Sequence, residues 1–424
     1  MSTASTDAPA AATAPAPTLA AAQPAPVVNG DAVAADVEKL QVSDETQPTP
    51  APATEFAPAP APAPPAEPPV QEQPVAAAAP APAPQPQETE TIDSLNLPTS
   101  AADGLIQKPF PRPVDSAKPT APAQLTADQQ AKYEVVLKSV SEWTTVPTTA
   151  ARNSPTEPIT DDERMFLTRE CLLRYLRATK WNAPEAVARL QRTLTWRREY
   201  GIAKLTPDYI SIENETGKQV LLGYDIHGRP CLYLLPSNQN TEKSDRQVQH
   251  LVFMLERAID LMPADQETLA LIVDYSQTKS GQNASIGQAK DTVHFLQNHY
   301  PERLGRALVI NMPFIIMGFF KIVTPFLDPV TREKLKFNEK LSAHVPPAQL
   351  MKSVGGDVEF KYDHAAYWPA LNKLAEIKQK EYHERWIKGG KRIGEYEHYL
   401  KTGTSPSLSQ RDSAATVTAT AEAS

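Results

Sequence analysis

Four short, unbroken apolar runs constrain this chain more than any other feature. Residues 220–224 (Val-Leu-Leu-Gly-Tyr), 231–235 (Cys-Leu-Tyr-Leu-Leu), 269–273 (Leu-Ala-Leu-Ile-Val) and 307–310 (Ala-Leu-Val-Ile) are too short for core helices and are bounded by turns, as buried strands are. Asp225-Ile-His-Gly-Arg-Pro230 is a hairpin signal between the first two. Residues 246–261 and 285–300, amphipathic and helix-length, separate the later ones. Strand, helix, strand, helix, strand predicts an α/β fold with a mixed, largely parallel sheet and helices packed on it.

Upstream the period is helical. Residues 127–143 and 161–179 read as helices, the second with Phe166, Leu172, Leu173 and Leu176 near helical spacing. Asn182 caps a third, with Pro184 in its first turn and Glu185 three positions on; Val187, Leu190 and Leu194 are its stripe and Gly201 ends it. A last helical stretch, 365–400, carries Leu371, Leu374, Ile377, Tyr382 and Trp386. Residues 1–125 hold 26 of the 42 prolines and almost no aromatic residue. Such a stretch buries too little apolar area to offset chain entropy, so it is expected to be disordered, with polyproline II character that suits an SH3-type partner. It carries 14 acids and 4 bases, which leaves 36 acids and 38 bases for residues 126–424. The acidity of the chain therefore belongs to the tail, and charge gives no argument for nucleic acid.

Two cysteines, Cys171 and Cys231, are too few for a disulfide framework or a thiolate metal site, which implies a reducing compartment. Residues 1–30 lack the basic start and apolar core of a signal peptide, and no uncharged apolar run approaches a membrane span, so membrane contact is expected to be peripheral. Cys171 and Arg177 have the Cys-x5-Arg spacing of tyrosine phosphatases. That chemistry needs a Gly-rich loop around the phosphate, whereas these residues are helix formers, so a Cys-dependent phosphatase is a remote alternative. No Walker loop, Gly-x-Ser-x-Gly, His-Glu-x-x-His or dinucleotide fingerprint occurs. His294 and His299 read as helix-surface residues. The sequence assigns no catalytic residue, cofactor or metal ligand.

Residues 313–334 stand apart. Eleven apolar side chains, prolines included, lie between Pro313 and Phe326, and Asp328, Thr331, Arg332, Glu333 and Lys334 follow at once. An over-apolar helix beside phosphate-competent groups suits a wall for acyl chains and a rim for a head group. Read alone, Asp328-Pro329 is equally an N-cap and N1 pair, and Lys334 a solvated helix face. Taken with Leu172-Leu-Arg-Tyr-Leu-Arg-Ala-Thr-Lys-Trp181, Trp196-Arg-Arg-Glu-Tyr-Gly201, Gly228-Arg-Pro230, Asp274 and Tyr300-Pro-Glu-Arg303, the chain resembles the CRAL-TRIO family. Within it the chain is most similar to fungal Sec-fourteen-like phosphatidylinositol transfer proteins of the pleiotropic-drug-resistance branch, on the wording at 177–181 and 246–257.

That resemblance implies a CRAL-TRIO lipid-binding domain with a helical gate at 204–364, a small helical module at 126–203, a C-terminal helical extension at 365–403, and disordered tails at 1–125 and 404–424. It implies that Glu302, Thr331, Lys334, Lys180 and Asp328 meet the phosphatidylinositol head group. A hydroxyl and an ammonium donate to a phosphodiester, and a carboxylate accepts from an inositol hydroxyl. Phe314, Phe319, Phe320, Ile322 and Phe326 would form the gate and acyl contacts. Thr179 stands where founding members have arginine, and Glu302 with Arg303 is alternatively a structural ion pair. Relatives that also carry phosphatidylcholine place hydroxyl groups where this chain has Leu269, Leu271 and Leu232, and a choline phosphate against leucines would go unpaired. The implied function is phosphatidylinositol binding and transfer between membranes, or presentation to a lipid kinase, without covalent chemistry and with poor phosphatidylcholine binding. The implied location is cytoplasmic and peripheral to membranes such as the endoplasmic reticulum, cell periphery or lipid droplets. A carrier of a sterol or another hydrophobic small molecule is the alternative.

Overall fold

The computed structural model describes residues 91–279, 281–282, 286–314 and 329–414. Helix α1 (Ala127–Ser141) opens on a capping box: Gln129 N–H donates to Thr126 Oγ1 at 3.2 Å, and Thr126 N–H donates to Gln129 Oε1 at 3.0 Å. A hairpin not expected from the sequence, β1 (Thr145–Pro147) with β2 (Thr156–Pro158), follows. The helix expected over 161–179 is two, α2 (Asp161–Phe166) and α3 (Arg169–Ala178). Thr168 causes the break, because its extended backbone lets its hydroxyl accept from Cys171 N–H at 3.0 Å and cap α3. Helix α4 (Ala183–Tyr200) runs from the Asn182 cap to Gly201, whose φ of 74° is the left-handed C-terminal stop. Val136, Leu172, Leu176, Leu190 and Leu194 form the core of this module.

Past α5 (Pro207–Ser211) come β3 (Gln219–Tyr224), β4 (Pro230–Leu234), α6 (Asp245–Leu261), β5 (Leu269–Asp274), α7 (Ile286–His299), β6 (Leu304–Ile310), α8 (Pro329–Lys334) and β7 (Leu335–Phe337). The sheet order is β3-β4-β5-β6-β7, with the first pair antiparallel and the others parallel, the mixed, largely parallel sheet that the strand–helix alternation predicts. Register partners share a face. Val220, Tyr233, Ile272 and Leu308 form one row and are fully buried, at 1 % exposure or less. Leu221, Leu232, Leu271, Ala307 and Leu335 form a row on the other face, with Leu234, Val273, Val309 and Phe337 two positions along. On that second face Leu234, Leu271, Val273 and Phe337 are only half-buried. The sheet thus has a closed face and an apolar face that is incompletely covered.

The stretch expected at 365–400 is interrupted at Gly389 and Gly390 into α9 (His364–Lys388) and α10 (Glu397–Thr402). Both tail boundaries need correction. Residues 91–125, expected to be disordered, form a strap across the domain. Ile106 N–H donates to Glu359 O at 2.9 Å and Lys361 N–H to Ile106 O at 3.0 Å. Ile106, Phe110 and Ala117 are buried at 2, 1 and 6 % exposure, and Pro119 lies against Gly228. Composition misled because a few apolar anchors in a proline-rich stretch suffice once another surface receives them. At the other end, residues 408–414 are helical, and Leu408 N–H donates to Glu395 Oε1 at 2.9 Å, so order extends beyond the expected limit of 403. The 1–90 part of the proline-rich tail lies outside the described residues. No helix among the described residues is long and apolar enough to cross a membrane.

Candidate functional site

Glu302 and Lys334, two of the charged residues that the sequence singled out, lie at the N-terminal ends of the parallel strands β6 and β7. Tyr300-Pro-Glu-Arg303, just ahead of β6, shows how the first is held. Tyr300 is buried and donates its hydroxyl to Glu256 Oε1 at 2.5 Å, while Arg197 of α4 grips Glu256 through bonds of 2.7 and 3.0 Å. Burial opposes ionisation of Glu256, yet Arg197 and the Tyr300 hydroxyl hold its pKa down to about 2. Arg303 is buried and donates to the Glu267 carbonyl at 2.9 Å. Glu302 between them takes a left-handed backbone, φ 61°, and is exposed. A left-handed non-glycine residue is unusual and recurs at functional sites. Glu302 and Arg303 therefore do not pair with each other; Glu302 Oε2 accepts instead from Arg177 Nε at 3.4 Å.

Arg177 is a functional candidate that sequence reasoning passed over. Its Nη2 donates to Glu267 Oε2 at 3.1 Å, and the same oxygen accepts from Arg174 Nη1 at 2.8 Å. Arg174, 3 % exposed, also donates to Glu397 Oε1 at 3.2 Å, and Glu397 accepts from the Thr168 hydroxyl at 3.0 Å and pairs with Lys401 Nζ at 3.3 Å. Although burial disfavours its charge, Glu397 is held well below the usual carboxylate range by Arg174 and Lys401. The C-terminal extension, the helical module and the sheet domain are thus joined by a chain of ion pairs, buried at Arg174 and Glu397 and partly exposed where Arg177 meets Glu302. One signal was present in the sequence: Arg174 falls within the apolar stretch Cys171–Leu176 of a helix, where an arginine requires buried partners. Nothing local could have named Glu397, 223 positions away.

Lys180 follows α3 with φ 51°, and its ammonium has no hydrogen-bond or ion-pair partner among the described residues. Lys334 closes α8, half-buried, and by register falls opposite Arg306, four residues along from Glu302. Thr331 is in α8, but its side chain, like Asp328, Phe319, Phe320, Ile322 and Phe326, lies outside the described residues. Phe314 is described and is 87 % exposed. Leu232 and Leu271 are register partners, and Leu269 is two positions along β5 on the same face, so the three leucines share the incompletely covered face. Leu232 and Leu269 are buried and Leu271 half-buried.

Arg229 of the Gly-Arg-Pro turn donates to Thr268 Oγ1 at 2.9 Å and pairs with Asp225 at 3.2 Å. It lies across Gly305, where a Cβ would stand 2.4 Å from its Nε. Asp274 ends β5, accepting from Asn311 Nδ2 and Ser276 N–H, both at 2.8 Å. These two positions serve the scaffold. Cys171 is inside α3, 1 % exposed, and burial raises its thiol pKa, so no phosphate loop exists at the Cys-x5-Arg match. His299 is not a free surface residue: it stacks on Trp196 with ring centroids 4.3 Å apart and shares a 3.1 Å hydrogen bond with Thr193 Oγ1.

Residues 214–356 match the CRAL/TRIO domain family, and residues 132–192 match the CRAL/TRIO N-terminal domain. The chain is 40 % identical over 256 residues to phosphatidylinositol transfer protein PDR17 of Saccharomyces cerevisiae, covering 58 % of this chain and 73 % of that one. The chain belongs to the CRAL-TRIO family. A second CRAL-TRIO relative, a domain-containing protein of Schizosaccharomyces pombe, is 49 % identical over 330 residues; the match spans 75 % of this chain but 32 % of the relative's length. The SEC14 cytosolic factor of Yarrowia lipolytica is 27 % identical over 277 residues, 59 % of this chain and 53 % of that protein. The two CRAL-TRIO matches fall on the helical module and on the sheet domain. The strap at 91–125 and the helices after 364 lie outside both.

Proposed function

We propose that this protein binds one phosphatidylinositol, with its acyl chains against the half-buried leucine and valine face of the sheet and its head group at the charged N-terminal rim, and carries it between membranes or presents it to a lipid kinase. The observation that supports the reading is the adjacency of two surfaces: the apolar rows of β4 and β5 lead to the end of the sheet where Glu302 precedes β6 and Lys334 precedes β7, and Lys180 is assigned to the same end from the family resemblance. An amphiphile of one polar head and two apolar chains has that division. Relatives named as phosphatidylinositol transfer proteins support the choice of lipid. Thr331 and Asp328 are assigned to the same head group from the family resemblance. No covalent step is part of this reading, and the protein works in the cytoplasm, peripheral to membranes.

Phosphatidylcholine is a poor ligand in this proposal, because a choline phosphate beside Leu232, Leu269 and Leu271 would find no donor. Burying an unpaired phosphate costs several kcal/mol, of the order of about 2–7 for even a neutral polar group. Mass spectrometry of lipid extracted from the purified full chain tests the proposal. Phosphatidylinositol is expected as the main bound lipid. Recovery of only a sterol or another neutral molecule would replace it with the carrier alternative.

A further inference from the structure

We infer that Arg177 supplies the guanidinium that binds the lipid phosphate in this protein, in place of residue 179. The inference rests on the head-group position proposed above. Residue 179 is the position at which founding members of the family have arginine, and here its side chain is turned to another task. The Thr179 hydroxyl lies 3.0 Å from Tyr175 O and 3.2 Å from both Leu176 O and Asn182 O. A hydroxyl has one proton to donate, and the three acceptors around it are two carbonyls of the last turn of α3 and the Asn182 carbonyl at the start of α4. Thr179 therefore closes the helix and has nothing to offer a phosphate.

Two residues earlier, Arg177 reaches the rim directly. Of its five N–H groups, one is given to Glu267 at 3.1 Å and one to Glu302 at 3.4 Å, and a third of the side chain, 34 %, remains exposed. The bond to Glu267 is the fixed one, since Glu267 is itself gripped by the buried Arg174 at 2.8 Å. The bond to Glu302 is the loose one, longer and between partners that are each more than a third exposed. A planar guanidinium held from behind on one edge presents its remaining N–H groups as a fork, the geometry that suits a phosphate diester. Arrival of the phosphate displaces the 3.4 Å contact and releases Glu302, whose carboxylate is then free to accept from an inositol hydroxyl. Lys180, assigned to the same head group from the family resemblance and with no side-chain partner among the described residues, would add a point charge but no fork.

The test measures transfer of labelled phosphatidylinositol from phosphatidylcholine vesicles carrying a few per cent of it, using the full chain and the variants Arg177→Gln, Arg177→Lys and Arg177→Gln with Thr179→Arg. Loss of a charge-assisted contact predicts roughly ten- to hundred-fold slower transfer for Arg177→Gln. Arg177→Lys, which keeps charge and loses the fork, should fall between it and wild type. Thr179→Arg should recover severalfold of the loss, because it returns a guanidinium to the rim from the neighbouring position, a rescue that a merely structural arginine would not show. Urea unfolding midpoints of all forms should agree, and a fall in midpoint that parallels the fall in transfer would overturn the inference in favour of a structural role. Wild-type transfer of phosphatidylinositol with Arg177→Gln within twofold of it would overturn the inference alone. A wild-type protein that moves no phosphatidylinositol would overturn the proposed function and, with it, this inference.

Discussion

Leu105 and Ile106 stand side by side, yet replacing each with alanine should have opposite outcomes. Leu105 is 55 % exposed and Ile106 2 %. Both variants keep the backbone bonds of the strap, Ile106 N–H to Glu359 O at 2.9 Å and Lys361 N–H to Ile106 O at 3.0 Å, so the comparison isolates the side chains. Cutting a buried isoleucine to alanine costs about 2–5 kcal/mol, the lost transfer energy plus the cavity. An exposed side chain without special contacts changes stability by within about 0.5 kcal/mol. With an unfolding entropy of about 2.1 cal/mol/K per residue over roughly 300 ordered residues, a loss near 3 kcal/mol lowers Tm by about 5 °C. Phe110→Ala, at 1 % exposure, should do at least as much. Thermal melts followed by circular dichroism, with urea titrations to confirm an unchanged slope, read the effect. If Ile106→Ala melts within about 1 °C of Leu105→Ala, the strap contributes no stability and the packing argument for residues 91–125 fails.

Three further outcomes are expected. Glu397→Ala leaves Arg174 and Lys401 without their shared carboxylate, and should lower stability by about 3–5 kcal/mol in urea unfolding. Burial, with His294 and nearby arginines, lowers the pKa of His299 from 6.5 to about 4. The stability from keeping its ring neutral is therefore complete above pH 6.5 and lost as pH falls from there toward 4; His299→Gln should flatten that part of the stability–pH curve. In vesicle assays Lys334→Ala and Glu302→Ala should each slow phosphatidylinositol transfer roughly ten- to hundred-fold with an unchanged melt, and the unmodified protein should move phosphatidylcholine far more slowly than phosphatidylinositol. Comparable rates for the two lipids would refute the part given to the three leucines.

The sheet was legible because four of its strands are apolar without interruption, the pattern of strands apolar on both faces, and parallel pairing followed from the helices between them. Leu335–Phe337 was not, since three residues ending a charged helix carry no strand period of their own. Thr168 was readable in principle as a cap, but the apolar spacing from Phe166 to Leu176 ran through it and masked the break. For the site, Glu302 and Lys334 came from family motifs, while Arg177 looked like any helical arginine until its partners were in place. Partners 90 and 125 positions away, Glu267 and Glu302, leave no trace in local pattern.

The way the last helices return to the first has a consequence for synthesis. Ile393 sits in the core of the helical module, Gly394 N–H donates to Leu167 O at 2.8 Å, Arg169 N–H to Glu395 O at 3.0 Å, and Glu397 N–H to Glu170 Oε2 at 2.8 Å across 227 positions. The module at the front of the folded region leaves the ribosome well before these pieces, 227 positions on, are made. At about 5–20 residues per second, that separation is a wait of roughly 11–45 s. Through that interval Leu167 and Cys171 lack part of their cover, and the Arg174 guanidinium has no Glu397 to meet. A nascent chain stalled before residue 393 should therefore hold a module that proteases and chaperones still recognise as unfinished, and emergence of residues 393–397 is the event that closes it.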